Sequence, residues 1–318
     1  MSGTSFTLQC FMRNFCFIKT NQIGDFVDEP YHIYFVVSEA KSYFIADSIK
    51  VSNKVIKCSV RRKDKTIELE HVFLKELDGS VLTGFEYTLS QDKSVMTVKY
   101  LKDFSKKMEF SITANQAYQM SGLCDEIHCN ILYIGQSYGH YGERTAAERL
   151  SNHKTLQKIL SDIICSGKDE EVICLLTDFE MDVMLTIPPN DISKESKQKI
   201  NDYLESSSDW KKKQCIDIVE AGLINFFKPK YNEIYKDSIY RNASESKFKY
   251  LFDHHVDKIA IEFLPEKYHD PFINDINIDV PTIVLKTSLN ELWTNNDNQY
   301  IGCDLNSNSI LRTTLITN

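Results

Sequence analysis

The order of patterns between residues 130 and 228 is the feature that most constrains the fold. Asn130 to Gly135 is a nearly continuous apolar run, which is typical of a strand covered on both faces. Three further elements are predicted after it: a long amphipathic helix from Arg144 to Cys165, a buried strand from Glu171 to Phe179 and a second long helix from Trp210 to Lys228. The central part of the chain therefore alternates strand, helix, strand, helix.

Two breaks set the limits of the second helix. Pro229 ends it, because proline cannot donate to the helical hydrogen-bond ladder. Residues 188 to 209, before the helix, are polar and rich in serine and lysine. This stretch is predicted to be a surface insertion that contains a short helix.

The flanks on both sides are β-rich. Before residue 120 four strand-like runs are recognised: Ile33 to Val37, Lys54 to Val60, Thr66 to Val72 and Val95 to Leu101. Asp78-Gly79 is a tight-turn signal between two runs. After residue 240 short strands are predicted at Ile259 to Phe263 and Thr282 to Lys286. We therefore predict an α+β protein with a sandwich or barrel-like N-terminal domain (1–122), a mixed core (123–240) and a β-rich C-terminal extension (241–318).

Charge and cysteine content restrict the class of protein. The chain has 318 residues and a formal net charge of −8, which excludes a surface that is basic throughout but allows a local basic cleft. Its nine cysteines are scattered and include no CxxC pair, which indicates free thiols in a reducing compartment. The start of the chain lacks a signal-peptide pattern, and no apolar segment approaches the ~18 residues of a membrane helix. We expect a cytoplasmic protein without membrane partners.

Polar residues fall on the predicted apolar faces of both long helices. On the first helix Arg149 and His153 are four residues apart, so they are predicted to lie side by side within the apolar stripe: Ala146, Leu150, Leu156, Ile159, Leu160, Ile163 and Ile164. On the second helix Glu220 falls between Phe227 and Ile224 in angle. An inward carboxylate is costly unless it is paired, protonated or bound to a metal.

Two interpretations of these three residues are open. One is structural, a buried ion pair between Arg149 and Glu220 with a hydrogen-bonded core histidine. The other is phosphoryl transfer, for which a guanidinium binds phosphate, a carboxylate holds a divalent cation and an imidazole assists proton transfer. Three polar residues of complementary chemistry on the apolar faces of two helices favour the second interpretation, phosphoryl transfer.

The motifs occur in the order found in a known nuclease family. Tyr133-Ile134-Gly135 resembles the second half of the GIY-YIG signature, and Arg149 to His153 resembles the arginine of that family with the histidine or tyrosine four residues later. Val219 to Ile224 and Lys228 to Asn232 resemble its glutamate helix and the proline and asparagine that follow. The resemblance covers about residues 130 to 233.

The resemblance implies a three-stranded antiparallel sheet flanked by helices and metal-dependent cleavage of nucleic acid. By analogy Glu220 holds one Mg²⁺ or Mn²⁺ ion, Arg149 contacts the phosphate, Tyr133 and His153 position or activate the water, and Asn232 supports the site. DNA is favoured over RNA as substrate, in a restriction-like or defence-type role. The N-terminal domain is then a candidate for target recognition, for a protein partner or for homo-oligomer formation.

One motif of the family is missing near Tyr133. The family places another tyrosine on the strand before YIG, whereas residues 121 to 132 contain none. Tyr118 is the nearest upstream candidate, and Tyr138 and Tyr141 follow the strand. The alternative function is therefore a catalytically degenerate fold that binds nucleic acid or a protein without cutting it.

Four other motifs favour structural interpretations over functional ones. Cys124, His128 and Cys129 lack the spacing of a structural zinc site. Adjacent His254 and His255 would point in opposite directions on a strand, which makes a shared metal ion improbable. The basic runs at residues 61–63 and 211–213 are more often solvated surface than nucleic-acid contacts.

Overall fold

A computed structural model of the chain describes residues 4–52, 55–62, 65–72, 82–119, 126–139, 142–187, 193–206, 211–236, 248, 250, 251, 256 and 258–262, with the backbone of 282–286, 291–294, 299–305 and 311–317. The chain is an α+β protein in which strands predominate. Among the described residues no helix is long and apolar enough to cross a membrane. Seven cysteines of the described part are free thiols, as predicted: Cys10, Cys16, Cys58, Cys129, Cys165, Cys174 and Cys215.

The described strands are β1 (Ser5–Lys19), β2 (Ile33–Ala40), β3 (Ser42–Ser52), β4 (Val55–Arg62), β5 (Lys65–Val72), β6 (Leu82–Leu89), β7 (Val95–Lys102), β8 (Lys106–Thr113), β9 (Glu126–Gln136), β10 (Glu170–Thr186), β11 (Lys258–Glu262), β12 (Thr282–Lys286), β13 (Glu291–Thr294), β14 (Gln299–Leu305) and β15 (Leu311–Thr317). The described helices are a 3-10 helix (Thr20–Phe26), α1 (Ala114–Gln119), α2 (Ala146–Ser151), α3 (Lys154–Ser166), α4 (Lys194–Ser206) and α5 (Lys212–Phe227). The predicted strands at 33–37, 66–72, 95–101 and 282–286 are confirmed, as is the short helix in the polar insertion. The predicted strands at 54–60 and 259–263 are confirmed over 55–60 and 259–262, and residues 54 and 263 lie outside the described part. The predicted turn at Asp78-Gly79 lies outside the described residues.

One mixed sheet draws strands from all three predicted parts of the chain. Its order is β13-β12-β9-β2-β10-β1-β11-β14-β15. The strands β9, β2 and β10 are neighbours and run antiparallel, whereas β12 joins β9 and β11 joins β1 in parallel. A domain boundary was predicted near residue 122, but strands from both sides of it pair within this sheet, because strand pairing depends on contacts that are distant in sequence.

Residues 42 to 119 form a module inserted between β2 and β9. It consists of two three-stranded antiparallel sheets, β3-β4-β5 and β6-β7-β8, followed by α1. The module is the β-rich part of the predicted N-terminal domain, while β1 and β2 belong to the large sheet. This insertion separates β2 from its neighbour β9 in the sequence.

Helices cover both faces of the central strands, which explains why all eight residues of β2 are buried. On one face α5 packs against β9 and β10, in a core that includes Phe35, Ile134 and Leu175. On the other face α2 and α3 form a second core with Val36 and Cys174. The two covered faces account for the continuous apolar character of β2.

The prediction of one helix from Arg144 to Cys165 is wrong in one respect, because this segment forms two helices, α2 and α3. The chain leaves helical geometry at Asn152 and His153, and His153 is the N-cap of α3, in extended conformation. Its Nδ1 accepts a hydrogen bond from the backbone N–H of Leu156 at 3.2 Å. The 3.6-residue pattern continues across the break, so periodicity alone cannot detect it. At the far end Ile164, predicted to be in the apolar stripe, is 78% exposed.

Candidate functional site

Two tyrosines meet on the neighbouring strands β2 and β9. Tyr34 pairs with Gly135, and Val36 pairs with Tyr133. The ring centroids of Tyr34 and Tyr133 are 6.2 Å apart. A Cβ atom on Gly135 would lie 2.5 Å from the Tyr34 Oη and 2.8 Å from the Tyr133 ring. The two rings approach each other across a position at which only glycine fits.

His153, at the break between α2 and α3, is the third member of this group. It is buried, 6% exposed, and its Nε2 lies 3.3 Å from the Tyr34 Oη. Its ring centroid is 5.1 Å from that of Tyr133. Because Nδ1 accepts from Leu156, the neutral ring carries its proton on Nε2 and donates it to Tyr34. Burial, and secondarily the charge of Arg149, lower the pKa of His153, which favours this neutral form.

Arg149 lies in the last turn of α2 and is exposed. The prediction that it points away from water is therefore wrong. Its charge and its hydrogen bond still act on Tyr34, where they oppose the rise in pKa that burial causes. Burial raises the pKa of Tyr133 as well. Both phenols are therefore neutral at physiological pH, and a guanidinium that is open to solvent contacts them.

Glu220 lies on α5, which packs on the other face of β9 from the two tyrosines. After burial, its negative charge contributes to the raised pKa of Tyr34 and of Tyr133, while the charge of Arg149 lowers both. The Oε2 of Glu220 accepts a hydrogen bond from Gln136 Nε2 at 2.8 Å. The same amide donates to Asp217 Oδ1 at 2.6 Å, one turn earlier on α5. Gln136 therefore holds two carboxylates at the end of β9.

The described ion pairs of α5 join Lys212 to Asp178 at 2.9 Å and Lys213 to Asp217 at 3.6 Å. Arg149 acts on the Tyr34 phenol through its charge and a side-chain hydrogen bond. The buried Arg149–Glu220 ion pair, which was one of the two interpretations, is not found among the described ion pairs.

Asn232 fastens the loop after α5 to β9. Its side-chain oxygen accepts from the Ile134 N–H at 2.9 Å, and its amide donates to the Ile134 carbonyl at 2.7 Å. The N–H of Tyr231 donates to the Leu132 carbonyl at 3.0 Å. These bonds fix the backbone on both sides of Tyr133. Asn232 thus supports the position of Tyr133 through the backbone.

The other candidate tyrosines do not enter this group. Tyr118 is buried in the inserted module, where the Arg62 guanidinium lies 5.1 Å from its ring centroid. Tyr138 packs edge-on against His32, with centroids 5.0 Å apart. Tyr141 lies outside the described residues.

Three polar residues of the group were missed by sequence reasoning: Tyr34, Gln136 and Asp217. Tyr34 was interpreted as part of an apolar strand. A tyrosine hydroxyl within a fully buried strand needs a hydrogen-bond partner, and this was the signal that could have identified it. Asp217 is three residues before Glu220, which places the two carboxylates on the same side of a helix. Gln136 directly follows the Tyr133-Ile134-Gly135 motif, and no local pattern distinguishes it.

The remaining motifs have structural partners or cannot be assessed. Arg62 of the first basic run pairs with Glu39 at 3.1 Å, while Lys63 is outside the described residues. Lys212 and Lys213 of the second run form the ion pairs given above. Cys129 is buried, whereas Cys124, the side chain of His128, and residues 253–255 lie outside the described part.

The donor set of the site is small. Within the described ranges no group of three or more histidine, cysteine or acidic side chains is placed to hold a metal ion. Glu220 and Asp217 offer carboxylates, which suit a hard cation that keeps several waters. Comparison of the chain with family models, with curated proteins and with solved structures gives no match.

Proposed function

We propose that this protein is a metal-dependent endonuclease with a site of the GIY-YIG type, and that DNA is its preferred substrate. The observation that carries the proposal is the contact of Tyr34, Tyr133 and His153 at one end of β2 and β9, with Arg149 and Glu220 near enough for their charges to act on both phenols. Tyr34 weakens one of the two supports of the binding-module alternative, the missing upstream tyrosine; the other support is the acidic net charge of −8. The family role, defence against foreign DNA, is an analogy.

The site suits one hard divalent cation. Mg²⁺ is commonly bound by one or two protein carboxylates together with waters and substrate phosphate. Glu220 would hold Mg²⁺ or Mn²⁺, and Asp217 is the second carboxylate on the same helix. These carboxylates would hold an ion whose chemistry would be to neutralise charge on the scissile phosphate and to lower the pKa of a water. Gln136 restricts the rotamers of both carboxylates through its two hydrogen bonds.

Arg149 is suited to bind the scissile phosphate. Its guanidinium is exposed, and its planar set of donors matches phosphate geometry. The hydrogen bond that it makes with Tyr34 fixes its position without neutralising its charge. A phosphate bound there lies beside the two phenols. The same contact stabilises the charge that develops on the phosphate during attack.

Tyr133, Tyr34 and His153 form a hydrogen-bonded chain. His153 Nε2 donates to Tyr34, and Tyr34 in turn interacts with Tyr133 through a side-chain hydrogen bond. Because both phenols are neutral, they orient an attacking water by hydrogen bonding. The raised pKa of Tyr133 disfavours a phenolate before substrate binds. His153 holds Tyr34 in place and can pass a proton along the chain.

A basic and aromatic surface adjoins the site. The ring of Tyr231, one residue before Asn232, has Lys230 Nζ at 5.0 Å and Lys158 Nζ at 6.0 Å from its centroid. These ammonium groups can contact phosphates of a strand that reaches Arg149. The arrangement supplies local positive charge in a chain whose net charge is −8.

The test is cleavage by the purified chain of plasmid DNA, linear DNA and RNA, with Mg²⁺ or Mn²⁺ and with chelator. We expect metal-dependent cleavage, with DNA cut faster than RNA. Glu220→Gln keeps the shape of the side chain and removes its charge, so cleavage should fall at least about a hundredfold. The thermal unfolding midpoint should stay unchanged.

The matched control is Glu233→Gln, an exposed glutamate on the loop after α5. It should cut like the parent protein. Full cleavage by folded Glu220→Gln would refute the assignment of Glu220. Tight binding of nucleic acid without metal-dependent cleavage would favour the binding-module alternative.

A further inference from the structure

The tip of the β7–β8 hairpin carries an exposed aromatic ring on a strained turn. The Ser105 N–H donates to the Lys102 carbonyl at 3.3 Å, which closes a turn over Asp103 and Phe104. Both central residues have positive φ, +51° and +63°. The Phe104 side chain is 69% exposed.

Neither folding nor packing accounts for phenylalanine at this position. A hairpin turn with two positive φ angles favours glycine at its second central residue, because a side chain is disfavoured there. An exposed ring also gains nothing from burial. Strained, exposed residues of this kind tend to mark functional surfaces.

The base of the hairpin is tied to the rest of the inserted module. It is fixed where the Ala114 N–H donates to the Ser94 carbonyl and the Phe44 N–H to the Lys93 carbonyl. Each strand has eight residues, so the tip lies about 26 Å from the base. The ring of Tyr100 on β7 packs against Phe110 on β8 and against Phe85 on the neighbouring strand β6.

Lysines surround the ring. Lys102 begins the turn, and exposed Lys106 and Lys107 follow it. Farther down the hairpin, Lys99 is paired with Glu109 at 3.3 Å, so its charge is offset. The turn also contains Asp103, so the tip combines one exposed apolar ring with the positive charges of exposed Lys106 and Lys107.

We propose that this tip is a DNA contact, in which Phe104 wedges against a base step and Lys106 and Lys107 contact flanking phosphates. The proposal rests on the proposed function, since it takes duplex DNA as the substrate. An apolar side chain inserted at a base step, with cations on the backbone, is a general mode of duplex binding. The inserted module then acts as a second point of attachment beyond the cleavage site.

The test measures binding of a short labelled duplex by fluorescence anisotropy, without divalent metal, on full-length Glu220→Gln protein. Phe104→Gly removes the ring and suits the turn, so the unfolding midpoint should stay the same or rise. We expect Kd to increase about tenfold, in line with the loss of one base contact. The combined Lys106→Gln and Lys107→Gln variant should reduce the slope of log Kd against log salt by about two.

Ile164→Ala is the matched control, because Ile164 is an exposed apolar residue on α3, outside the module. Its Kd should stay within twofold of the parent value. An unchanged Kd for Phe104→Gly overturns the proposal, as does failure of the parent to bind duplex at all. Loss of binding to anionic phospholipid vesicles, with duplex binding unchanged, also overturns it and assigns the tip to membranes.

The proposed function and this inference fail in different ways. If wild-type protein cuts no nucleic acid but Phe104→Gly weakens duplex binding, the nuclease assignment falls and the tip contact stands. If cleavage depends on Glu220 and Phe104→Gly binds and cuts like the parent, the tip contact falls and the nuclease stands.

Discussion

The strand β2 carries two polar clusters, and their difference distinguishes a structural network from a candidate site. Tyr34 lies near its start and belongs to one cluster. Glu39 lies near its end, on the opposite face, and belongs to the other. Both clusters contain arginine, a carboxylate and neutral hydrogen-bonding groups. They differ in which groups the arginine contacts.

In the Glu39 cluster the charges neutralise one another within the protein. Glu39 is 2% exposed, and it receives Arg62 at 3.1 Å and the Asn115 amide at 2.6 Å. The same amide donates to Glu171, which also pairs with Lys19 at 3.1 Å. Burial, together with Glu171, raises the pKa of Glu39, and Arg62 opposes this rise. This arrangement joins the inserted module to the large sheet.

In the Tyr34 cluster the arginine contacts a phenol and keeps its charge exposed. Arg149 and Glu220 act on the same two tyrosines with opposite sign. An anion can therefore bind to Arg149 without displacing a buried carboxylate. Arg62 and Glu39 pair directly and neutralise each other, whereas the exposed charge of Arg149 remains open to an anion.

Breaking the structural cluster should have the largest effect on stability. Arg62→Met leaves Glu39 buried without its cation, which should lower the free energy of unfolding by about 3–5 kcal/mol. Arg61→Met changes the adjacent exposed arginine and should alter it by no more than about 0.5 kcal/mol. Denaturant unfolding measures both.

Nuclease activity per folded molecule should be unchanged in the Arg62 variant. A loss of stability below about 1 kcal/mol would mean that the Glu39 cluster is not a buried ion pair of the usual kind. Loss of activity in folded Arg62→Met protein would remove the functional distinction between the clusters.

Gly135→Ala should have a smaller effect on stability and a large one on activity. The new Cβ would contact Tyr34 and the Tyr133 ring, so strand or rings must shift. Overpacking of this kind costs about 1–3 kcal/mol. Gly24→Ala is the control, since nothing lies within 4 Å of its added Cβ. Cleavage rates and unfolding curves of both variants are compared. A Gly135→Ala protein that cuts at the parent rate would show that the spacing of the tyrosines is unimportant.

Local pattern predicted the elements of the fold and failed on their arrangement. The position of Glu220 on α5 followed from helical periodicity, since a helix is set by residues three and four apart. Tyr34 was in a correctly predicted strand, but its partner His153 is 119 positions away in the sequence. No local pattern predicts that β9 pairs with β2 and not with a strand that is nearer in the sequence.

The helix break at His153 shows a second reason why the arrangement of the site could not be predicted from the sequence. Arg149 and His153 were predicted to lie side by side on one helix, whereas the structure brings them near each other around a helix break. The apolar pattern is the same in both cases, because α2 and α3 face the same side of the sheet. The helical spacing therefore did not predict the local geometry that relates the two residues.

The central claim is that Tyr34 acts with Tyr133, and that Tyr118, which is nearer to Tyr133 in the sequence, does not. The direct test is the single-turnover cleavage rate of Tyr34→Phe beside that of Tyr118→Phe, each per folded molecule. Loss of one hydroxyl should change stability by about 1 kcal/mol in either case. Tyr34→Phe removes the hydroxyl that contacts His153, and cleavage should fall about a hundredfold or more, while Tyr118→Phe should stay within twofold of the parent. Parent-level cleavage by Tyr34→Phe, or an equal loss in the two variants, would contradict the account.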